Sequence, residues 1–125
     1  MEISEQIVVP ADAERTWRLV TEPGNFQRWY AFGGAEIDLV PGGAMALRWD
    51  EHGSFPARVE AVTPGRRFAF RWLLPEPGDL VDITIAPAEG GTLVRVTESG
   101  TLDDAGTSAM AWRNSLSLLR ELASS

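Results

Sequence analysis

Apolar and polar positions follow different rhythms in successive parts of this chain, and the rhythm divides it into elements. Glu2 to Val9 has strand character, with Ile3, Ile7 and Val8 apolar and Pro10 closing the run. Pro10 also stands where a helix can begin, and Asp12 and Glu14 complement the dipole of a first turn. Ala13, Thr16, Trp17 and Val20 then recur at three- and four-residue spacing, which predicts an amphipathic helix. Glu22-Pro23-Gly24 stops it, and a short helical turn follows over Asn25 to Trp29 with Asn25 available as N-cap.

Beyond this point the period is two. Ala35 to Val40 alternates, with Glu36 and Asp38 opposite Ile37 and Leu39, and Pro41-Gly42-Gly43 makes a tight turn. Met45, Leu47 and Trp49 share a face opposite Arg48 and Asp50, and His52-Gly53 marks the next turn. Phe55 to Val62 returns, with Pro56 implying an edge or a bulge. After Thr63-Pro64-Gly65, Phe68, Phe70 and Trp72 alternate with Arg67, Ala69 and Arg71; Pro75, Pro77 and Gly78 form a longer loop. Val81, Ile83 and Ile85 pair off through Gly90-Gly91 with Val94 and Val96. Short turns between successive strands require antiparallel neighbours.

From about Ala105 the period becomes helical again. Ala105, Ala109, Trp112, Leu116, Leu119 and Ala123 lie on one stripe, with Arg113, Asn114, Arg120 and Glu121 off it. The expected fold is therefore α+β, a curved six- to seven-stranded antiparallel sheet covered by a long C-terminal helix. Two short helices follow the first strand. No segment has the composition of a linker, so one domain spans residues 1–125. The last helix is the only partner long enough to cover an apolar sheet face.

Composition then removes whole classes of chemistry. Zero cysteines exclude disulfides, thiol catalysis and thiolate metal sites, and a single histidine, His52, leaves a serine triad or His-based metal site without its usual groups. No metal or cofactor is expected. All eleven basic residues are arginine, against eighteen acids, for a formal charge of −7. So acidic a chain repels phosphate backbones and anionic lipid, which argues against nucleic acid and membrane as partners. Met1 to Glu5 is acidic and lacks the apolar run of a signal peptide, so a cytoplasmic protein is expected.

The residues also resemble a known family. Val9 to Pro23 is similar to the opening helix and turn of the START-like (SRPBCC) helix-grip superfamily, in particular the branch related to the heat-shock-protein-90 ATPase activator. Arg28-Trp29-Tyr30, Glu36 to Gly43, Gly91 to Gly100 and Ala111-Trp112 continue the likeness in the family's order across nearly the whole chain. The resemblance implies a helix-grip fold with a cavity between sheet and long helix. Relatives include ligand carriers, aromatase/cyclases, resistance proteins and co-chaperone modules, so fold alone does not select a function. The connection Leu102 to Thr107 is short here and the hairpins are tight, which implies a small or open cavity. A second domain of the kind that anchors the eukaryotic co-chaperone to its client is not seen, so the chaperone role is the less favoured expectation.

Three readings follow. The first is a binding protein for a small apolar or aromatic molecule. Phe26, Trp29, Tyr30 and Phe32 would gather at the pocket mouth, because four aromatics within seven residues exceed what a cap requires. Trp49, Phe70, Trp72, Ile83, Met110 and Asn114 would line the interior with Glu98. The bland alternative is that most of these residues are simply core. The second reading is an enzyme of the polyketide cyclase/dehydratase type, with Glu98 and His52 as catalytic candidates and Arg71, Tyr30 and Asn114 in support. Glu98 follows Val94 and Val96 in period two, so a regular strand points its carboxylate inward, where Arg71 or another strand arginine would pair it; a bulge would turn it to solvent. His52 in its turn reads as solvated. The third reading is a module that stimulates a chaperone ATPase through an apolar patch on the convex sheet face. Edge-strand pairing into a homodimer is open to all three.

Overall fold

A computed structural model describes residues 2–74, 78–100 and 105–124, the side chain of Ala105 excepted. The order is β1 (Glu2–Val9), α1 (Ala13–Thr21), α2 (Pro23–Phe26), β2 (Gly34–Ile37), β3 (Ala44–Trp49), β4 (Gly53–Thr63), β5 (Arg67–Trp72), β6 (Leu80–Ala88), β7 (Gly91–Ser99) and α3 (Ala105–Ser124). The strands make one seven-stranded sheet in the order β1-β7-β6-β5-β4-β3-β2, antiparallel at every step. Parts of two expected loops, residues 75–77 and 101–104, lie outside the described residues.

Local chemistry explains the boundaries. Asp12 caps α1 by accepting the Arg15 amide at 2.8 Å. The second helix begins two residues earlier than its spacing predicts, with Pro23 in its first turn. Proline is tolerated there because the first helical N–H groups have no partner within the helix. Asn25 consequently does not cap α2; its amide donates back to the Arg18 carbonyl at 3.3 Å and to Glu22 at 3.0 Å. β2 ends at Ile37 rather than Val40 because residues 38–43 fold on themselves, the Val40 N–H reaching the Asp38 carbonyl and the Gly43 N–H the Val40 carbonyl. Pro56 lies in an internal strand, not an edge, opposite Ala46. Its missing N–H costs little, because β5 runs out there and the Pro56 carbonyl still accepts Leu73. The expected bulge lies a few residues on, between Val59 and Ala61.

The core lies between the concave sheet face and the helices. Leu47, Val59, Phe68, Phe70, Val81, Ile83, Val94 and Val96 are buried from the sheet, and Trp112, Leu116, Leu119 and Ala123 from α3. Each large side chain so buried contributes roughly 1.5–3 kcal/mol. Polar ties at its surface help hold α3 in place: Arg113 pairs with Glu5 of β1 at 3.0 Å, and Arg15 of α1 donates to the Leu122 carbonyl at 3.1 Å. Gly91 begins β7 at φ +150°, where a Cβ would strike the Val9 carbonyl, so the close approach of β1 to the β6–β7 hairpin requires glycine.

Phe26 and Trp29 close one end of this core. Both are fully buried, their rings meet edge to face at 5.1 Å, and the Trp29 Nε1–H donates to the Leu19 carbonyl at 2.8 Å. Trp29→Phe would leave that buried carbonyl unpaired and open a void. A loss of about 1–3 kcal/mol is expected in urea unfolding; an unchanged midpoint and slope would show the bond to be dispensable.

Candidate functional site

β7 runs regularly to Ser99, with Glu98 opposite Ile3 on one side and Val81 on the other. Its side chain therefore continues the inward row of Val94 and Val96, and Glu98 is only 8% exposed. The partner is not Arg71, which is held on the other face by Glu60 at 3.2 Å and the Gly78 carbonyl at 2.9 Å. Instead the Trp112 Nε1–H of α3 donates to the Glu98 carboxylate at 2.8 Å. Asp79, which lies against Gly100 just before β6, is within hydrogen-bonding reach of the same carboxyl. Burial, and after it the neighbouring Asp79, raise the Glu98 pKa against the stabilising Trp112 bond.

Tyr30 completes this cluster. Its ring stacks on Trp112 with centroids 4.1 Å apart and planes 15° from parallel, and meets Trp49 of β3 edge to face at 5.0 Å. Burial first, and the nearby Glu98 charge second, push its phenol pKa well above the ordinary value, so Tyr30 stays neutral as a proton donor. Behind the stack lie Trp29, 6.5 Å from Trp112, and Phe26.

In front of it the molecule opens. Trp49 and His52 border two adjoining hollows, of about 280 Å³ with Phe55, Trp72 and Leu74, and about 260 Å³ with Phe32, Asp50 and Glu51. Trp49 meets Phe55 at 5.9 Å and Trp72 at 6.2 Å, so the wall is a continuous aromatic surface. Phe32, Phe55 and Leu74 are large apolar side chains left exposed around it. The convex sheet face differs: it carries the Arg67–Asp82, Arg71–Glu60 and Arg48–Glu36 pairs.

The aromatics expected together at the mouth thus separate. Phe26 and Trp29 are core, Tyr30 stands behind the wall, and Phe32 borders a hollow. Trp49 and Trp72 also reach that surface, while Phe70 and Ile83 are fully packed beneath the sheet. Met110 and Asn114 do not face the interior. They lie two residues either side of the buried Trp112, about 200° round the helix at 3.6 residues per turn, and line a separate hollow of about 300 Å³ with Gly106, Thr107 and Ala111. Ser115, beside them, is buried. His52 is exposed in the turn after β3, yet borders both hollows. Asp79, Phe55 and Leu74 were not singled out from the sequence. The Gly90-Gly91 hairpin contains the signal for Asp79, because counting its register back sets Asp79 against Gly100, diagonal to Glu98. Among the described residues no group of three His, Asp or Glu could hold a metal ion, and no helix is long and apolar enough to cross a membrane.

Comparison with known proteins agrees with this architecture. The family model described as activator of Hsp90 ATPase homolog 1-like protein matches residues 10–124. A crystal structure of a Mesorhizobium loti protein superposes with a TM-score of 0.86 at 21% identity, covering 99% of this chain and 97% of that one. A solution structure of an Aha1 dimer from Colwellia psychrerythraea gives 0.85 at 19%, covering 98% and 96%. DynU16, a protein in the dynemicin biosynthetic locus, gives 0.85 at 22%, covering 99% of this chain and 47% of that one. At these identities the solved structures establish the fold. No curated protein sequence matches the chain closely enough to count as a relative.

The Glu98 environment makes a pH prediction. A carboxyl whose pKa is higher folded than unfolded keeps its proton longer in the folded state, so its contribution to stability is complete at low pH. It is lost as pH rises from the ordinary glutamate range through the raised folded value. Glu98→Gln, which still accepts from Trp112, is expected to flatten that decline when urea midpoints are compared between pH 4 and pH 8. Parallel curves for the two proteins would show that Glu98 titrates normally.

Proposed function

The chain belongs to the activator-of-Hsp90-ATPase-like family of helix-grip proteins, and from that premise we propose that it is a small-molecule carrier or sensor. Its ligand is apolar or aromatic and sits on the aromatic wall of Trp49, Phe55 and Trp72 at the open end of the fold. The observation that carries this reading is the gathering of exposed Phe32, Phe55 and Leu74 around two hollows sharing one tryptophan. Such surface is costly to leave in water, and pockets are typically built from apolar walls with a few polar groups. The ion-paired convex face supports a ligand over a chaperone client, as does one fold neighbour's place in a biosynthetic locus. A cytoplasmic setting is part of the same proposal. The dimer seen in one neighbour makes self-association through an edge strand a further part of the proposal.

The reading is tested by titrating neutral naphthyl and indole compounds while following the indole N–H signals by NMR. Shifts should concentrate on Trp49 and Trp72, and Trp49→Ala should weaken binding about tenfold or more, the loss of one large buried contact. Shifts confined to the outward hollow at Met110, or no saturable binding by any compound, would sink it.

A second reading is favoured by the convergence of Glu98, held towards its protonated form, with the neutral Tyr30 phenol. In it a poly-β-ketone held on the aromatic wall reaches past the edge of Trp49 to these two groups, which move the proton that cyclisation or dehydration requires. Glu98→Gln would then abolish turnover of such a substrate while leaving the protein folded; full turnover in that variant would exclude the reading.

A further inference from the structure

The inference here rests on the binding reading above and narrows its ligand. The two hollows share Trp49 and His52 but differ in everything else. Among the described residues the first is lined by Phe55, Trp72 and Leu74 and is apolar apart from His52. The second adds one aromatic face, Phe32, and two consecutive acids, Asp50 and Glu51. Among the described residues no arginine lines either hollow. The two nearest in sequence, Arg48 and Arg71, belong to the opposite strand face, where they hold Glu36 at 2.9 Å and Glu60 at 3.2 Å. Among the described residues neither Asp50 nor Glu51 takes part in an ion pair or a side-chain hydrogen bond.

We propose that the two hollows form one bipartite site for an amphiphilic organic cation, a protonated amine carried on an aromatic or apolar body. The body lies on Phe55, Trp72 and Leu74. The ammonium head lies across Trp49, between the faces of Phe32 and Trp49 and the carboxylates of Asp50 and Glu51. Aromatic faces attract cations through their quadrupole, and carboxylates beside them add Coulomb attraction that a partly exposed site screens only in part. The −7 charge of the chain steers cations towards it and anions away. A carboxylate ligand of the same shape would meet two acids and no arginine, so the site selects by charge where the apolar hollow selects by shape.

Three compounds with one naphthyl body separate the possibilities: 2-naphthylmethylamine, protonated at neutral pH, 2-naphthylmethanol and 2-naphthoate. Each is titrated calorimetrically into the intact protein at low ionic strength. The ammonium is expected to bind about tenfold more tightly than the alcohol, and the carboxylate more weakly than either. Raising the salt should narrow the gap. The Asp50→Asn, Glu51→Gln double variant should bring the ammonium down to the alcohol's affinity. If the alcohol binds as well as the ammonium, or the carboxylate binds best, cation selection is overturned while the binding reading stands. If none of the three binds, the binding reading falls and this inference with it.

Discussion

The Trp112 indole is the joint on which sheet, helix and opening depend. One edge donates to Glu98 at the end of β7, and one face carries the Tyr30 ring at 4.1 Å. A single side chain of α3 therefore fixes the depth at which the helix sits on the sheet and the position of the chain leaving α2. A buried carboxylate facing only apolar neighbours would be costly; the indole N–H reduces that cost, and a proton retained on the acid reduces it further. Aromatic contacts of this kind are worth about 0.5–1.5 kcal/mol beyond the area they bury. Several run in series from Phe26 through Trp29, Trp112 and Tyr30 to Trp49.

That series has two chemically different ends. At the closed end Phe26 and Trp29 are sealed among the helices. At the open end Trp49 and Trp72 meet solvent beside exposed Phe32, Phe55 and Leu74. Tyr30 is the divide, with the Glu98–Asp79 couple on its inner side and the acids Asp50 and Glu51 on the outer rim. Burial raises the Glu98 pKa and so favours its proton, whereas Asp50 and Glu51 are exposed to water. The charge selection proposed above falls to the exposed outer pair, whereas Glu98 is tied into the core by Trp112.

Much of this was legible in the chain. Strict alternation in Phe68, Phe70 and Trp72, or in Val81, Ile83 and Ile85, can be satisfied only by strands with one buried face, and the turns between them leave no alternative to antiparallel pairing. The same alternation pointed Glu98 inward, and the absence of cysteine with a single histidine removed most catalytic chemistry before any fold was considered. Where expectations missed, the cause was local. Glu22-Pro23-Gly24 is expected to stop α1, yet proline in a first turn also starts a helix, as Pro23 does for α2.

What only the tertiary structure decided is how the aromatics divide. Periodicity reports which face of its own element a residue occupies, but not what stands opposite, so Trp29 and Phe32, three residues apart, read alike although one is core and the other rim. Met110 is expected to line the interior, but with Trp112 on the buried stripe of α3 it lies about 200° round the helix and faces outward. Asp79 and Glu98 are nineteen positions apart and meet only because β6 and β7 pair in one register. The sequence by itself determined the sheet, its covering helix and the inward acid, since these follow from local spacing and solvation. The partners of that acid, and the place where the core gives way to an open aromatic surface, depend on contacts between distant segments and came from the folded molecule alone.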